Sequence, residues 1–160
     1  MTQEDKELLL RDLCARLTYG VKAYIKNWSK LDRKYYEGVY TVESIHPSLN
    51  TILAYSEKSS VEVIVGYDDY EIKLYLFPLS SMTEEQMVEL KNLCNMFTPD
   101  GDYEPCAYWG IEVFYKRGRD GKYKFNFETD VIDWFHKNHI DYRGLIPMGL
   151  AIDATGLNIY

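Results

Sequence analysis

Three clusters in this 160-residue chain have side chains that could do chemistry. His136 and His139 stand three apart, with Asp133 and Asp141 close by, and match half of a zinc or transition-metal site. Two imidazoles do not close a coordination shell, and the H-x-x-H spacing lacks the glutamate and the i,i+4 geometry of a metalloprotease helix. Histidines are also favoured at a helix C-terminus, where partial negative charge gathers, and that structural role accounts for them better. Asp100, Asp102 and Glu104 alternate like the start of a calcium loop, but Pro105 stands where the loop needs glycine and Ile111 where it needs a bidentate glutamate. An acid-rich turn fits better. Asp68 and Asp69, between Tyr67 and Tyr70, offer paired carboxylates for acid/base or glycosidic chemistry, yet neighbours on a turn point apart.

No nucleophile elbow, P-loop or dinucleotide fingerprint is present. Cys14, Cys94 and Cys106 form an odd set without a zinc or disulfide spacing, which reads as free thiols in a reducing compartment. We therefore assign no catalytic, cofactor-binding or metal-ligating residue, and the expectation leans away from an enzyme and from any cofactor.

Binding is the better-supported class. The formal net charge of -7 argues against a protein that coats nucleic acid with its whole surface. The charge is unevenly spread: residues 1–34 carry 8 basic and 5 acidic groups, 35–112 carry 3 and 14, 113–126 carry 5 and 1, and 127–160 carry 2 and 5. The acidic middle, with Tyr67, Asp68, Asp69, Tyr70, Asp100, Asp102 and Tyr103, predicts a protein-docking surface whose field imitates nucleic acid. Tyrosine alone accounts for 15 residues, which suits either a binding surface or ordinary sheet packing. The other reading uses the basic, aromatic-laced segment Arg16, Lys22, Lys26, Trp28, Lys30, Arg33 and Lys34, joined by Arg117 and Arg119 of a second basic segment (116–124), as a face for single-stranded nucleic acid. The solvated face of a strand would look the same.

These residues must be positioned by a mixture of helices and short strands. Thr2 with Asp5 forms a capping box, and Leu10, Leu13, Cys14 and Leu17 give an amphipathic helix that ends near Gly20, with Cys14 on its apolar side. From Val21 the period drops to two, with Val21, Ala23 and Ile25 facing inward. Strands are expected again over 38–45, 51–55, 61–65 and 71–77. Thr83 and Gln86 cap a second helix with Met87, Leu90, Cys94 and Phe97 as its buried stripe. Residues 99–105 read as a loop, 111–116 and 123–127 as a hairpin, and Thr129 as the cap of a third helix packed by Val131, Ile132 and Phe135. Residues 141–160 read as a docked tail of short turns. The expected fold is thus α+β in one domain over 1–160. An N-terminal helix and an antiparallel five-stranded sheet, curled toward an SH3-like small barrel, fill 1–80. Helix, β-hairpin, helix and docked C-terminal tail fill 81–160. No stretch spans a bilayer and the start lacks the basic head of a signal peptide, so a cytoplasmic protein beginning at Met1 and not bound to membrane is expected.

Leu13-Cys14-Ala15-Arg16-Leu17, the run from Glu71 to Gln86 containing Ser80-Ser81-Met82-Thr83-Glu84-Glu85-Gln86, and His139-Ile140-Asp141-Tyr142-Arg143-Gly144-Leu145-Ile146 together resemble a group of small uncharacterised proteins from gut anaerobic bacteria and their phages. The resemblance implies a mobile-element accessory protein and carries no chemistry. The expected function is a non-enzymatic interaction protein that blocks a host factor through an acidic or Tyr-rich surface. Its partner is a protein or a second copy. A single-stranded nucleic-acid module is the alternative, and a metal-dependent hydrolase a more distant one.

Overall fold

The computed structural model describes residues 2–46, 49, 51–57, 59–64, 69–96, 103–108, 111–117, 123–124 and 129–160. Its α-helices are α1 (Gln3–Arg16), α2 (Glu84–Met96) and α3 (Thr129–Lys137), and its strands are β1 (Lys22–Ser29), β2 (Lys34–His46), β3 (Thr51–Tyr55), β4 (Ser60–Ile64), β5 (Asp69–Leu76), β6 (Tyr103–Tyr108), β7 (Ile111–Arg117), β8 (Tyr123–Lys124) and β9 (Ala151–Asp153). The chain divides into two compact units, one comprising Met1–Leu76 with Leu145–Tyr160, the other Phe77–Gly144.

The first unit is α+β with the expected N-terminal helix. Thr2 Oγ1 accepts from the Asp5 N–H (3.1 Å) while Asp5 Oδ2 accepts from the Thr2 N–H (2.7 Å), so a reciprocal box closes the helix start with aspartate in the glutamate role. The helix gives way to a 3-10 turn at Leu17–Tyr19 and stops at Gly20, whose φ of 67° lets its N–H reach Leu17 O. The buried face differs from the expected one. Leu9, Asp12, Leu13 and Arg16 are buried, whereas Cys14 is exposed, because the core stripe lies one position toward the N-terminus of the one read from Leu10 and Cys14.

The sheet has six strands in the order β4-β3-β2-β1-β5-β9 and is mixed, which corrects the five-stranded antiparallel sheet. It is not closed into a barrel. The physical reason lies at β5. This strand pairs antiparallel with β1, not with β4 (Ala23↔Leu74, Ile25↔Ile72, Asn27↔Tyr70), and so interrupts the meander. On its free side β9 adds in parallel (Leu74↔Ala151, Leu76↔Asp153) and leaves β4 and β9 as edges. Part of the tail is therefore a strand of this sheet. A bulge between Val42 and Ser44 gives β2 one extra residue against β3.

One face of the sheet carries the core. Ala23, Ile25, Val42, Ile52, Ala54, Val61, Val63, Ile72, Leu74 and Leu76 join Leu9 and Leu13 of α1 and Leu145 and Leu150 of the tail in one cluster. Each fully buried leucine or isoleucine contributes roughly 1.5–3 kcal/mol relative to an exposed one. The period of two along β1 then sends Tyr24, Lys26 and Trp28 to the opposite face.

In the second unit, reciprocal hydrogen bonds between Thr83 and Gln86 start α2, as the capping pattern predicts. Leu90, Val131, Trp134, Phe135 and Ile140 form a small separate core. A three-stranded sheet runs β6-β7-β8. Its third member, β6, occupies part of the segment read as a loop, and the hairpin pairing is Lys116↔Lys124 and Arg117↔Tyr123.

Candidate functional site

The β1–β2 hairpin gathers more of the chemistry-bearing side chains than any other described element. It is longer than the sequence reading allowed, since β2 begins at Lys34 rather than Gly38. Gly38 lies inside the strand opposite Ile25 at φ 154°, a backbone geometry that side chains avoid. The connecting residues Lys30 to Arg33 form a tight turn pinned by Asp32. Its carboxylate accepts from the Lys34 N–H (3.2 Å) and from the Tyr36 hydroxyl (2.6 Å), and Arg33 takes the left-handed conformation at φ 55°. These hydrogen bonds, the Tyr36 hydroxyl foremost, hold the Asp32 carboxyl below its ordinary range.

Beyond the turn, register places Trp28 directly opposite Tyr35, Lys26 opposite Glu37 and Tyr24 opposite Val39. All of these side chains lie on the face away from the core. Trp28 is 43 % exposed, Tyr35 52 % and Val39 40 %. Cross-strand partners of this kind stand about 5 Å apart at Cβ, so the two rings share one patch of surface. Glu37 organises them: Tyr24 Oη donates to its Oε1 and Tyr35 Oη to its Oε2, both at 2.7 Å. The two phenol hydrogens keep the Glu37 carboxyl below its usual range, and in return the carboxylate pushes the Tyr24 phenol up to about 12 and raises that of Tyr35. Lys26 stands between Glu37 on β2 and Glu71 on β5, and its ammonium is favoured first by the Tyr35 hydroxyl and then by Glu37 and Glu71. Glu71 also meets Lys73 Nζ at 2.8 Å.

The residues expected on a nucleic-acid face are thus divided. Lys26, Trp28, Lys30, Arg33 and Lys34 are exposed and share one hairpin. Arg16 does not belong with them, which corrects its assignment. It is fully buried on α1 with Nε 2.6 Å from Asp12 Oδ2 and Nη2 3.4 Å from Oδ1. Lys22 is half-buried, donating to Ile159 O at 2.5 Å and lying 5.9 Å from the centre of the Tyr160 ring. Arg117 is placed on β7 in the second unit, and Arg119 lies outside the described residues.

Of the acidic face, Tyr67, Asp68, Asp100 and Asp102 lie outside the described residues, while Asp69 and Tyr103 are placed only as backbone in β5 and β6. Tyr70 packs half-buried against the core rather than outward, which removes it from that surface. Glu37 and Glu71 of the acidic middle are engaged locally by hydroxyls and a lysine.

His136 and His139 are both buried. His136 Nε2 is 3.0 Å from Tyr142 Oη, Arg143 Nε donates to the same oxygen at 2.8 Å, and Tyr142 stacks on Phe135 with centroids 5.1 Å apart. The imidazole is therefore spent on the packing of α3 against the following turn. Among the described residues no group of three or more His, Cys, Asp or Glu side chains is arranged to hold a metal ion. Among the described residues, too, no helix is long and apolar enough to cross a membrane.

No protein-family model matches the chain, no curated protein matches it, and no solved structure matches it. The hairpin's own geometry is what bears on its function. Its signal in the sequence was the alternation of cations and aromatics from Lys22 to Tyr36. What that pattern hid was Glu37, which looks like one more solvated acid until register places it between two phenols.

Proposed function

We propose that the protein is a non-enzymatic interaction protein that acts by docking a macromolecular partner on the outer face of its β1–β2 hairpin. The supporting observation is the Glu37-centred cluster. Two tyrosine rings are held by charge-assisted hydrogen bonds on an exposed sheet face, beside a tryptophan that keeps 43 % of its surface in water. Aromatic side chains that are already fixed lose little entropy on binding, so such a surface is prepared for a partner. Tryptophan and tyrosine are also the residues that dominate docking energetics where they occur. The setting we propose is that of a mobile-element accessory protein which blocks a host factor by occupancy, in line with the resemblance described above.

The test is retention from a host lysate on immobilised wild-type protein against the Trp28→Ala/Tyr35→Ala double variant, with circular dichroism to show that both are folded. Partners held by the wild type and lost by the variant are the expected result. Equal retention by both overturns the use of this face.

A further inference from the structure

We propose that the core side of the β1–β2 hairpin holds a closed binding site for a small, flat, neutral molecule that carries a hydrogen-bond donor and an acceptor side by side, as a carboxamide, a lactam or a nucleobase does, and that Asn27 reads that edge. The site lies on the opposite side of the sheet from the docking face, so either can fail without the other.

Asn27 carries the argument. Its side chain is fully buried, and among the described residues neither Nδ2 nor Oδ1 has a hydrogen-bond partner. Buried polar side chains are nearly always paired, and one left idle at both ends is costly to keep. The amide fixes a donor beside an acceptor in one plane, and the edge that satisfies both at once is an acceptor beside a donor, joined by two parallel hydrogen bonds. Register supplies the walls. Tyr36 on β2 and Tyr70 on β5 stand directly opposite Asn27 on its two sides and share its face of the sheet. Two aromatic neighbours about 5 Å away at Cβ favour a flat ligand. Gly38, opposite Ile25, brings no side chain to this face; among the described residues a Cβ there would meet only the Tyr40 ring, at 3.6 Å. The remaining neighbours along the face, Ile25, Ile72 and Ser29, are neutral, and burial pushes the Tyr70 phenol up. A charged ligand would lose its hydration in such surroundings without a counter-charge. Asn27 is closed off in this structure, so entry requires a ring to turn aside. Tyr70 is the one placed to do so: it is half-buried and its hydroxyl makes no hydrogen bond among the described residues, whereas Tyr36 is tied to Asp32 at 2.6 Å.

The experiment is a titration of the full chain with millimolar nicotinamide, uridine and adenosine, followed through the Asn27 side-chain amide protons by NMR. N,N-dimethylnicotinamide, which lacks the donor, and benzoate, which is flat but charged, are the controls. At least one of the three probes should shift the Asn27 amide protons and show direct contacts with them, and which one does so distinguishes carboxamide, lactam and nucleobase amino edges. Asn27→Leu removes an idle amide rather than a contact, so the variant should stay folded while its affinity for that probe falls at least about tenfold. Tyr70→Leu should weaken binding roughly two- to tenfold by loss of one stacking ring. The proposal is overturned if no probe moves the Asn27 amide protons, if Asn27→Leu binds as tightly as wild type, or if a control binds as well as the probes. The wild-type NMR readout decides even if a variant fails to fold.

Discussion

Arg16 and Lys26 come from the same basic, aromatic-laced stretch and end in opposite surroundings. Arg16 is fully buried on α1 against Asp12, while Lys26 stands in water on the outer sheet face between Glu37 and Glu71. The difference is one of element and spacing. On α1, Leu9, Asp12, Leu13 and Arg16 recur at three and four residues and share the face that packs on the sheet, so the arginine arrives in the core together with the carboxylate that neutralises it. On β1 the period is two, and Lys26 alternates with Ile25 and Asn27 out of the core altogether. Whether a cation of this stretch reaches the surface is thus decided by the phase of its element.

The sharpest way to break this contrast is to remove one member of the buried pair. Arg16→Met leaves the Asp12 carboxylate buried, and breaking such a pair costs about 3–5 kcal/mol. Urea or thermal unfolding should show that loss, and the Asp12→Leu/Arg16→Met double variant should recover most of it, since apolar replacements of similar volume are often neutral. A single-variant loss within ordinary surface limits, about 0.5 kcal/mol, would show that the pair is not held in the core.

Asn27 sharpens the comparison from the other side. It is fully buried between Tyr36 and Tyr70 on the core face, and among the described residues neither its Nδ2 nor its Oδ1 has a hydrogen-bond partner. An unpartnered buried amide costs about 1–3 kcal/mol, so Asn27→Leu should raise stability by roughly 1 kcal/mol once imperfect packing is allowed for. A marked loss instead would mean that the amide is satisfied in the folded protein.

The partial legibility of the fold follows from the same physics. Helix starts were readable because Thr2–Asp5 and Thr83–Gln86 are local chemistry. The inward set Ala23 and Ile25 was readable because β1 is half-buried and alternates. Two features were not readable, because they depend on pairing between distant segments. One is the pairing of β5 with β1, and the other is the three-residue β9, too short to have a period. The site shows the same division. Its cations and aromatics stood out as a run, but their orientation required the register Trp28↔Tyr35 and Lys26↔Glu37. Arg16 was misplaced because charge was read without the phase of the helix beneath it.

The smallest effect in stability is expected at Glu37, and it bears most directly on the outer face. The folded-state pKa of Tyr24 is raised to about 12 from its ordinary 10.0, first by its hydrogen bond to Glu37. A group raised in the folded state contributes stability that is complete below its unfolded pKa and is lost as pH climbs through the folded one, here between about pH 10 and 12. Glu37 is lowered from 4.5 in the folded state, so its contribution is present above that value and fades as the pH falls through its folded pKa. In Glu37→Gln the carboxylate is absent, and both pH-dependent contributions should go with it. Tyrosine ring NMR should then show Tyr24 titrating near its ordinary value, while resistance to acid and to alkali declines slightly. The rings lose their anchor as well, so retention of a partner on the outer face should fall despite the removal of a negative charge. If retention is unchanged or rises instead, the positioning of Tyr24 and Tyr35 by Glu37 is not what prepares the face.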